Sequence, residues 1–106
     1  MSEINTIAII TAKPGSADAV EQALRTLAEA THGEQGCIRY TLNRGLQDPN
    51  VFVTIEKWRS QEDLDGHMAS PHVAATFAAA GEHLAAAPVI VPAEALSVGD
   101  AAKSAF

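Results

Sequence analysis

Three residues of this sequence have side chains suited to chemistry on an aromatic substrate. Trp58 ends a β-type run, His67 follows it on a predicted helix, and Tyr40 lies on the preceding strand. An imidazole titrates near pH ~6.5, so His67 is suited to act as the general base that takes a phenolic proton. Trp58 would form an aromatic wall, and Tyr40 would donate a hydrogen bond to a developing oxyanion. We take these three as candidate catalytic residues.

Structural roles for the same residues stay open at this level. An inward His67 could bond a backbone carbonyl, Trp58 could be a core residue, and Tyr40 could pack at a subunit interface. Glu56 shares a strand face with Trp58. For Glu56 we predict a structural ion pair with Arg39 or Arg44 across a hairpin rather than a catalytic role.

No metal site is expected from the histidine spacing. His67 and His72 are five residues apart and His83 follows eleven later, and neither interval is the i, i+4 pair that lets one helix chelate an ion. Cys37 lies in a predicted strand and lacks a setting that would lower its pKa, so we expect a buried thiol rather than a nucleophile.

The elements that must position these residues follow from hydrophobic periodicity and turn residues. His67 shares one face of its helix with Leu64 and Met68 at i, i+3, i+4 spacing, which points it inward. Ser60 and Ser70, the latter followed by Pro71, have the layout of N-caps. The pattern predicts strands at 4–12, 37–44, 51–58 and 89–96, and helices at 16–31, from 60, and from 70 to about 87.

This order of elements predicts an α+β, ferredoxin-like βαββαβ domain, with helices on one face of an antiparallel sheet. The first strand carries apolar residues on both faces, so something must cover the face without helices, and sheet packing in a homodimer is the simplest arrangement. At 106 residues the chain has the size of one domain. We place the domain at residues 1–96 and expect a flexible C-terminal tail at 97–106.

Charge and composition exclude several classes of partner. The formal net charge is −6, the isoelectric point is near 5.0, and the seven Lys and Arg residues are scattered. Without a basic stripe to neutralise phosphates, we expect neither nucleic acid nor a membrane surface as partner. The sequence has no signal peptide pattern, no apolar run near ~20 residues and a single cysteine, which favour a cytoplasmic protein.

Over residues 3 to 96 the chain resembles the antibiotic biosynthesis monooxygenase domain family, which includes quinol monooxygenases and a signal-degrading isomerase branch. The matching positions form an ordered series along the chain. They are Glu34, Gly36, Cys37, Tyr40, Asp48, Pro49, Phe52, Glu56, Trp58, Ser60, His67, Ser70, His72 and Phe77. Thr54 and Leu64 depart from the polyketide-tailoring branch, which has Asn and Tyr there.

The resemblance implies a dimeric α+β barrel and oxygenation of an aromatic or quinol-like molecule by O2, without metal or flavin. Haem is not expected, because Phe77 stands where the haem-degrading branch has its axial His. Besides the three catalytic candidates, we expect six residues to contact substrate. They are Thr54, Glu56, Leu64, Met68, His72 and Phe77.

Two other functions remain compatible with the sequence. One is an isomerase or degrading enzyme for a small polar carbonyl compound, with His67, His72 and Tyr40 as acid and base. A small polar pocket would favour it, and a wide apolar cleft would favour the oxygenase. The other is a non-catalytic dimeric ligand-binding module, whose cleft would be filled by Leu64, Met68 and Phe77.

Overall fold

Four antiparallel strands form one sheet in the order β2-β3-β1-β4 in the computed structural model, which describes residues 2–106. The strands are β1 (Ile4–Thr11), β2 (Cys37–Arg44), β3 (Val51–Trp58) and β4 (Val89–Ala93). The helices are α1 (Ala17–His32), α2 (Gln61–Met68), α3 (Pro71–Ala80) and α4 (Ala101–Ser104). The α+β, ferredoxin-like fold class predicted from the sequence is confirmed.

The core lies between the sheet and α1. Ala8 and Ile10 of β1 are buried, and they belong to one cluster with Val20, Leu24 and other apolar residues of α1. This burial follows from the alternation of a strand against the stripe of a helix. The opposite face of β1 is not covered within the chain, since Ile7 and Ile9 are 43% and 40% exposed.

The β2–β3 hairpin forms where the alternating pattern predicts it. Its register shifts between Cys37 and Arg39, so Ile38 is 45% exposed and does not share the buried face of Tyr40, as residues two apart in a regular strand would. The irregularity adds one residue to β2, and such bulges turn the side chains that precede them. Tyr40 and Trp58 therefore lie on the inner face at one end of the sheet.

Serine side chains begin both short helices, as predicted. Ser60 Oγ accepts the N–H of Asp63, and Ser70 Oγ accepts the N–H of Val73. The helix predicted from residue 16 begins at Ala17, and Ser16 occupies its N-cap position without a capping bond. Its Oγ instead lies 3.1 Å from His83 Nδ1.

The predicted extension of the last long helix to about residue 87 is wrong. Helix α3 ends at Ala80, and a 3₁₀ turn spans Gly81–His83. The next backbone groups bond the end of β1 instead of continuing the helix, because Lys13 donates to the His83 carbonyl and Ala85 donates to the Thr11 carbonyl, both at 2.8 Å. Buried backbone N–H and C=O groups need hydrogen-bond partners, and here the extended chain after the 3₁₀ turn pairs with the chain at the end of β1.

The last strand and the tail also differ from their predicted bounds. Strand β4 ends at Ala93 rather than 96, and its edge position accommodates Pro92, as the missing N–H of proline requires. The tail carries α4, and Lys57 Nζ donates to the carbonyl oxygen of Phe106 at 2.7 Å. Its flexibility stays a prediction. Among the described residues no helix has the length and apolar character needed to cross a membrane.

Candidate functional site

Three chain segments converge at the end of the sheet that carries Tyr40 and Trp58. They are the loop after α1, which carries Glu34, the last turn of α2, which carries His67, and the first turn of α3, which carries His72. The site is therefore built from residues that lie far apart in the sequence.

The break between α2 and α3 sets the positions of the two histidines. Ser70 Oγ caps α3 and also donates to the carbonyl oxygen of His67 at 2.6 Å, and Pro71 begins the new helix. Because the two histidines belong to different helices, their rings face the same space, with centroids 5.9 Å apart. An interval of five residues keeps two histidines on one helix from binding the same ion. His67 and His72 lie on two helices, so the interval does not exclude a shared ion here.

Glu34 joins both histidines through one oxygen atom. Its Oε2 lies 2.7 Å from His67 Nδ1 and 2.7 Å from His72 Nε2. Sequence reasoning placed Glu34 in the family pattern but assigned it no role. The signal that could have found it is Gly36, where an added Cβ would collide with the side chain of Asp63, so the loop after α1 must lie against α2.

The ring of His67 is buried and fixed in orientation. It is 3% exposed and packs against Trp58 and Tyr40, with ring centroids at 4.6 Å and 5.8 Å. Its Nδ1 faces Glu34 rather than a backbone carbonyl, and a carboxylate oxygen can only accept. Nδ1 therefore carries a proton in this contact, and Nε2 has no hydrogen-bond partner among residues 2–106.

A small cavity of about 30 Å³ lies beside His67, between the inner sheet face and helices α2 and α3. This volume has room for about one water molecule. Nδ1 is bonded to Glu34, which does not line the cavity, so Nε2 is the ring nitrogen without a hydrogen bond among the described residues. The lining residues are Thr6, Ala8, Ile10, Tyr40, Thr54, Glu56, His67, Met68, Val73, Phe77, Pro88 and Ile90.

Glu56 is a buried carboxylate in the wall of this cavity, and the predicted ion pair is wrong. It is 4% exposed and accepts hydrogen bonds from Thr54 Oγ1 at 2.6 Å and from Trp58 Nε1 at 2.9 Å. Arg44 instead bonds Glu21, and Arg39 lies over the ring of Phe106. Both partners of Glu56 come from its own strand face, because residues two apart point the same way.

Thr6 pairs with Glu56 across the sheet and also lines the cavity. Its Oγ1 is buried and has no hydrogen-bond partner among the residues that the structure describes. A buried hydroxyl costs free energy unless it is bonded. A polar group of a guest molecule in the cavity would therefore be stabilised by Thr6 Oγ1.

The remaining ionisable groups near the cavity are held in their neutral forms. Burial raises the pKa of Tyr40 far above its ordinary value, and the neighbouring Glu56 carboxylate raises that pKa further. Tyr40 thus stays a phenol that can donate a hydrogen bond. Burial also raises the pKa of the Cys37 thiol, and the charges of Glu34 and Glu56 raise it further by smaller amounts.

Six of the nine predicted site residues line the cavity, and three lie outside its lining. Trp58 is fully buried behind His67, so it supports the imidazole instead of facing the cavity. Leu64 packs in a core cluster with Tyr40 and Trp58. His72 lies on the far side of Glu34, with its side chain 28% exposed.

The sequence profile described as "Antibiotic biosynthesis monooxygenase" matches residues 4–79, which is most of the described chain and includes Glu34, Trp58, His67 and His72. The chain belongs to this family. It is 29% identical over 84 residues to "Putative monooxygenase YcnE" of Bacillus subtilis, covering 79% of this chain and 87% of that protein. It is 32% identical over 83 residues to "Putative monooxygenase Rv0793" of Mycobacterium tuberculosis, covering 78% and 81%.

A solved structure gives the same fold. The crystal structure of PA3566 from Pseudomonas aeruginosa superposes with a TM-score of 0.85 at 31% sequence identity, covering 92% of this chain and 97% of that one. The similarity therefore extends over nearly the whole domain, beyond the segment that the family profile matches.

Proposed function

We propose that this member of the antibiotic biosynthesis monooxygenase family oxidises a small electron-rich aromatic compound of the phenol or quinol class with O2, without a cofactor. Family membership and the names of the two relatives support a monooxygenase. The observation that carries the proposal is the Glu34 and His67 pair. The carboxylate holds the imidazole by Nδ1 at 2.7 Å, and Nε2 is left without a hydrogen-bond partner among the described residues, so it can accept a proton.

In the proposed reaction, Nε2 of His67 takes the hydroxyl proton of the substrate, and the imidazolium that forms is stabilised by the Glu34 carboxylate. The electron-rich anion transfers electrons to O2. One oxygen atom forms a C–O bond with the ring, and the other leaves as water. For a hydroquinone, the products are one hydroxyquinone and one water. The substrate supplies all four electrons, so no external reductant is needed.

Tyr40 and Thr6 would interact with the oxygen atoms of the substrate. Tyr40 is a neutral donor at physiological pH, because its pKa is raised, and it suits an oxygen that becomes negative during the reaction. The hydroxyl of Thr6 has no partner of its own among the described residues. Both side chains belong to the rigid sheet, which favours a fixed geometry.

Substrate access requires side chains at the border of the cavity to move. The cavity of about 30 Å³ is far below the ~300–1,000 Å³ of typical ligand sites. Met68 is 42% exposed and Ile90 is 37% exposed, so these two lie at the border with solvent. Met68 has a flexible unbranched side chain, and we propose that it swings outward to admit the substrate.

A homodimer is the second part of the proposal. Apolar side chains lie side by side on the sheet face without helices, since Ile7 pairs with Val91 and Ile9 pairs with Val89 across β1 and β4. They are 40–54% exposed in one chain. Contiguous apolar surface of this kind marks an interface, and a second copy of the same sheet would cover it.

A small polar carbonyl compound is the second candidate substrate, and the cavity volume favours it. Thr6, Tyr40, Glu56 and His67 are polar residues in a lining whose surface is otherwise mostly apolar. In that case His67 would move a proton between two carbons, and no O2 would be consumed. The non-catalytic alternative also gains from the small volume, because Met68 and Phe77 occupy the cavity border, although Leu64 does not.

Oxygen uptake with 1,4-dihydroxynaphthalene tests the proposal. We expect the purified protein to consume O2 faster than buffer, with one atom of ¹⁸O2 in the product. His67→Gln should lower this rate by about 10²–10⁴-fold, the usual contribution of a general base. His83→Gln, which removes an imidazole remote from the cavity, is the control. Uptake equal to that of buffer, or a fully active His67→Gln, would overturn the proposal.

A further inference from the structure

We infer that Glu34, His67 and His72 form a binding site for a divalent first-row transition metal ion of the Zn²⁺ type. These three side chains offer one carboxylate oxygen and two imidazole nitrogens, all within 4.8 Å of one another. Two histidines and one carboxylate are the protein ligands of many zinc and iron sites. Nothing in the family membership or in the proposed oxygenation requires this ion.

The spacing of the ligand atoms suits an ion at their centre. Each imidazole nitrogen lies 2.7 Å from Glu34 Oε2. In a tetrahedral metal site with bonds of about 2.1 Å, neighbouring ligand atoms lie about 3.4 Å apart. Each nitrogen must therefore move away from Oε2 by about 0.7 Å, a shift that rotation of the rings and of the Glu34 side chain can supply.

The chemistry of the donors selects the class of ion. Imidazole nitrogens favour Zn²⁺, Co²⁺, Ni²⁺ and Cu²⁺ over Mg²⁺ and Ca²⁺, which prefer oxygen ligands. The side chains of Glu34 and His72 are 21% and 28% exposed, whereas that of His67 is 4% exposed. An ion therefore reaches the site from the side of Glu34 and His72, and three protein ligands leave room for water in its coordination sphere.

The groups around the ligands hold them in place. Ser70 Oγ bonds the carbonyl of His67, and Thr76 Oγ1 bonds the carbonyl of His72. The ring of His67 is also fixed by Trp58. Ligands whose positions are set by neighbours lose less freedom when the ion binds.

Metal binding moves a proton on each ring. In the metal-free contact, His67 Nδ1 and His72 Nε2 each donate a proton to Glu34. When these nitrogens bind the ion through their lone pairs, each proton moves to the other nitrogen of its ring. For His67 that nitrogen is Nε2, so, resting on the proposed function, the ion would remove the general base and inhibit the oxygenation.

Titration of the untagged, EDTA-treated protein with Co²⁺, followed by visible absorption, tests the site without any substrate. Zn²⁺ binding by calorimetry on the same samples gives the stoichiometry. We expect one ion per chain. His72→Gln and Glu34→Gln should each weaken binding at least ~10-fold, whereas His83→Gln should bind as the wild type does. His72 is partly exposed, and circular dichroism checks that its variant folds.

The inference is overturned if the wild type binds no Co²⁺ or Zn²⁺, or if His72→Gln and Glu34→Gln bind as tightly as His83→Gln. Because the readout is binding, it does not depend on oxygen chemistry. A protein that binds one ion but consumes no O2 would support the metal site while contradicting the proposed oxygenation.

Discussion

At the scale of single residues, the contacts of His67 are those of a general base whose ring is held in one orientation. A base acts well when a third group fixes its ring and its tautomer, and Glu34 does both through Nδ1. His72 bonds the same carboxylate oxygen from a position closer to solvent. Glu34 is therefore the residue that couples the buried imidazole to the surface.

Tyr40 predicts how stability depends on pH in the alkaline range. It is the chain's one tyrosine, and burial, followed by the Glu56 carboxylate, raises its pKa in the folded state. In the unfolded chain Tyr40 ionises near pH ~10. The contribution of its neutral form to the free energy of unfolding is therefore complete below that pH and is lost as pH rises above it, by about 1.4 kcal/mol per pH unit.

Urea unfolding at pH 8 and pH 11 measures this effect. We expect the free energy of unfolding of the wild type to fall more between the two pH values than that of Tyr40→Phe. The thiol of Cys37 is present in both proteins, so its own titration cancels in the comparison. Equal declines in the two proteins would show that Tyr40 ionises as readily in the folded chain as in the unfolded chain.

Residue type and spacing predicted some of the residues that lie together in the candidate site, and missed others for physical reasons. His67 and Tyr40 were found because a titratable ring and a phenol lie on inward faces of regular elements. Glu34 was not assigned, because its position depends on how a loop crosses another helix, which periodicity does not encode. Glu56 was given the wrong partners, because ion pairing across the hairpin was weighed and hydrogen bonding along its own strand was not.

At the scale of elements, the two serine N-caps differ in what they hold. Ser70 caps α3 and bonds the carbonyl of His67, whereas Ser60 caps α2 at its other end and bonds Asp63. We expect Ser70→Ala and Ser60→Ala each to lower the free energy of unfolding by about 1 kcal/mol. Only Ser70→Ala should also slow O2 uptake, because it loosens the turn that positions His67.

Urea unfolding and oxygen-electrode rates on both variants check this expectation. If Ser60→Ala slows uptake as much as Ser70→Ala, the rate reports general stability, and the specific role of Ser70 is wrong. The elements themselves were predictable, since turn residues and hydrophobic periodicity agree for β1, α1 and the hairpin. The end of α3 was not predictable, because it depends on backbone hydrogen bonds between residues 83 and 85 and the distant chain at the end of β1.

At the scale of the whole molecule, one sheet face is apolar and exposed in the single chain. Ile9 is 40% exposed near the centre of that face, and Leu46 is fully exposed in the loop between β2 and β3. We expect Ile9→Lys to convert a wild-type dimer to a monomer, because a buried unpaired charge is costly at an interface. Leu46→Lys changes the charge equally and should leave the dimer intact.

Light scattering coupled to size exclusion measures the mass of each protein. A monomeric wild type, or an Ile9→Lys variant that stays dimeric, would contradict the proposed packing of sheet on sheet. The apolar face without helices was predictable from the apolar residues on both faces of β1. Which face stays exposed became clear only with the strand order and the position of α1.

The tautomer of His67 is the most direct test of the central claim, that Glu34 holds the imidazole with Nε2 free to act as a base. Long-range ¹H–¹⁵N correlation spectra of protein labelled with ¹⁵N-histidine report which ring nitrogen carries a proton, with His67→Gln giving the assignment. We predict a ring that carries a proton on Nδ1 and none on Nε2. A ring protonated on Nε2 in the metal-free protein would contradict it.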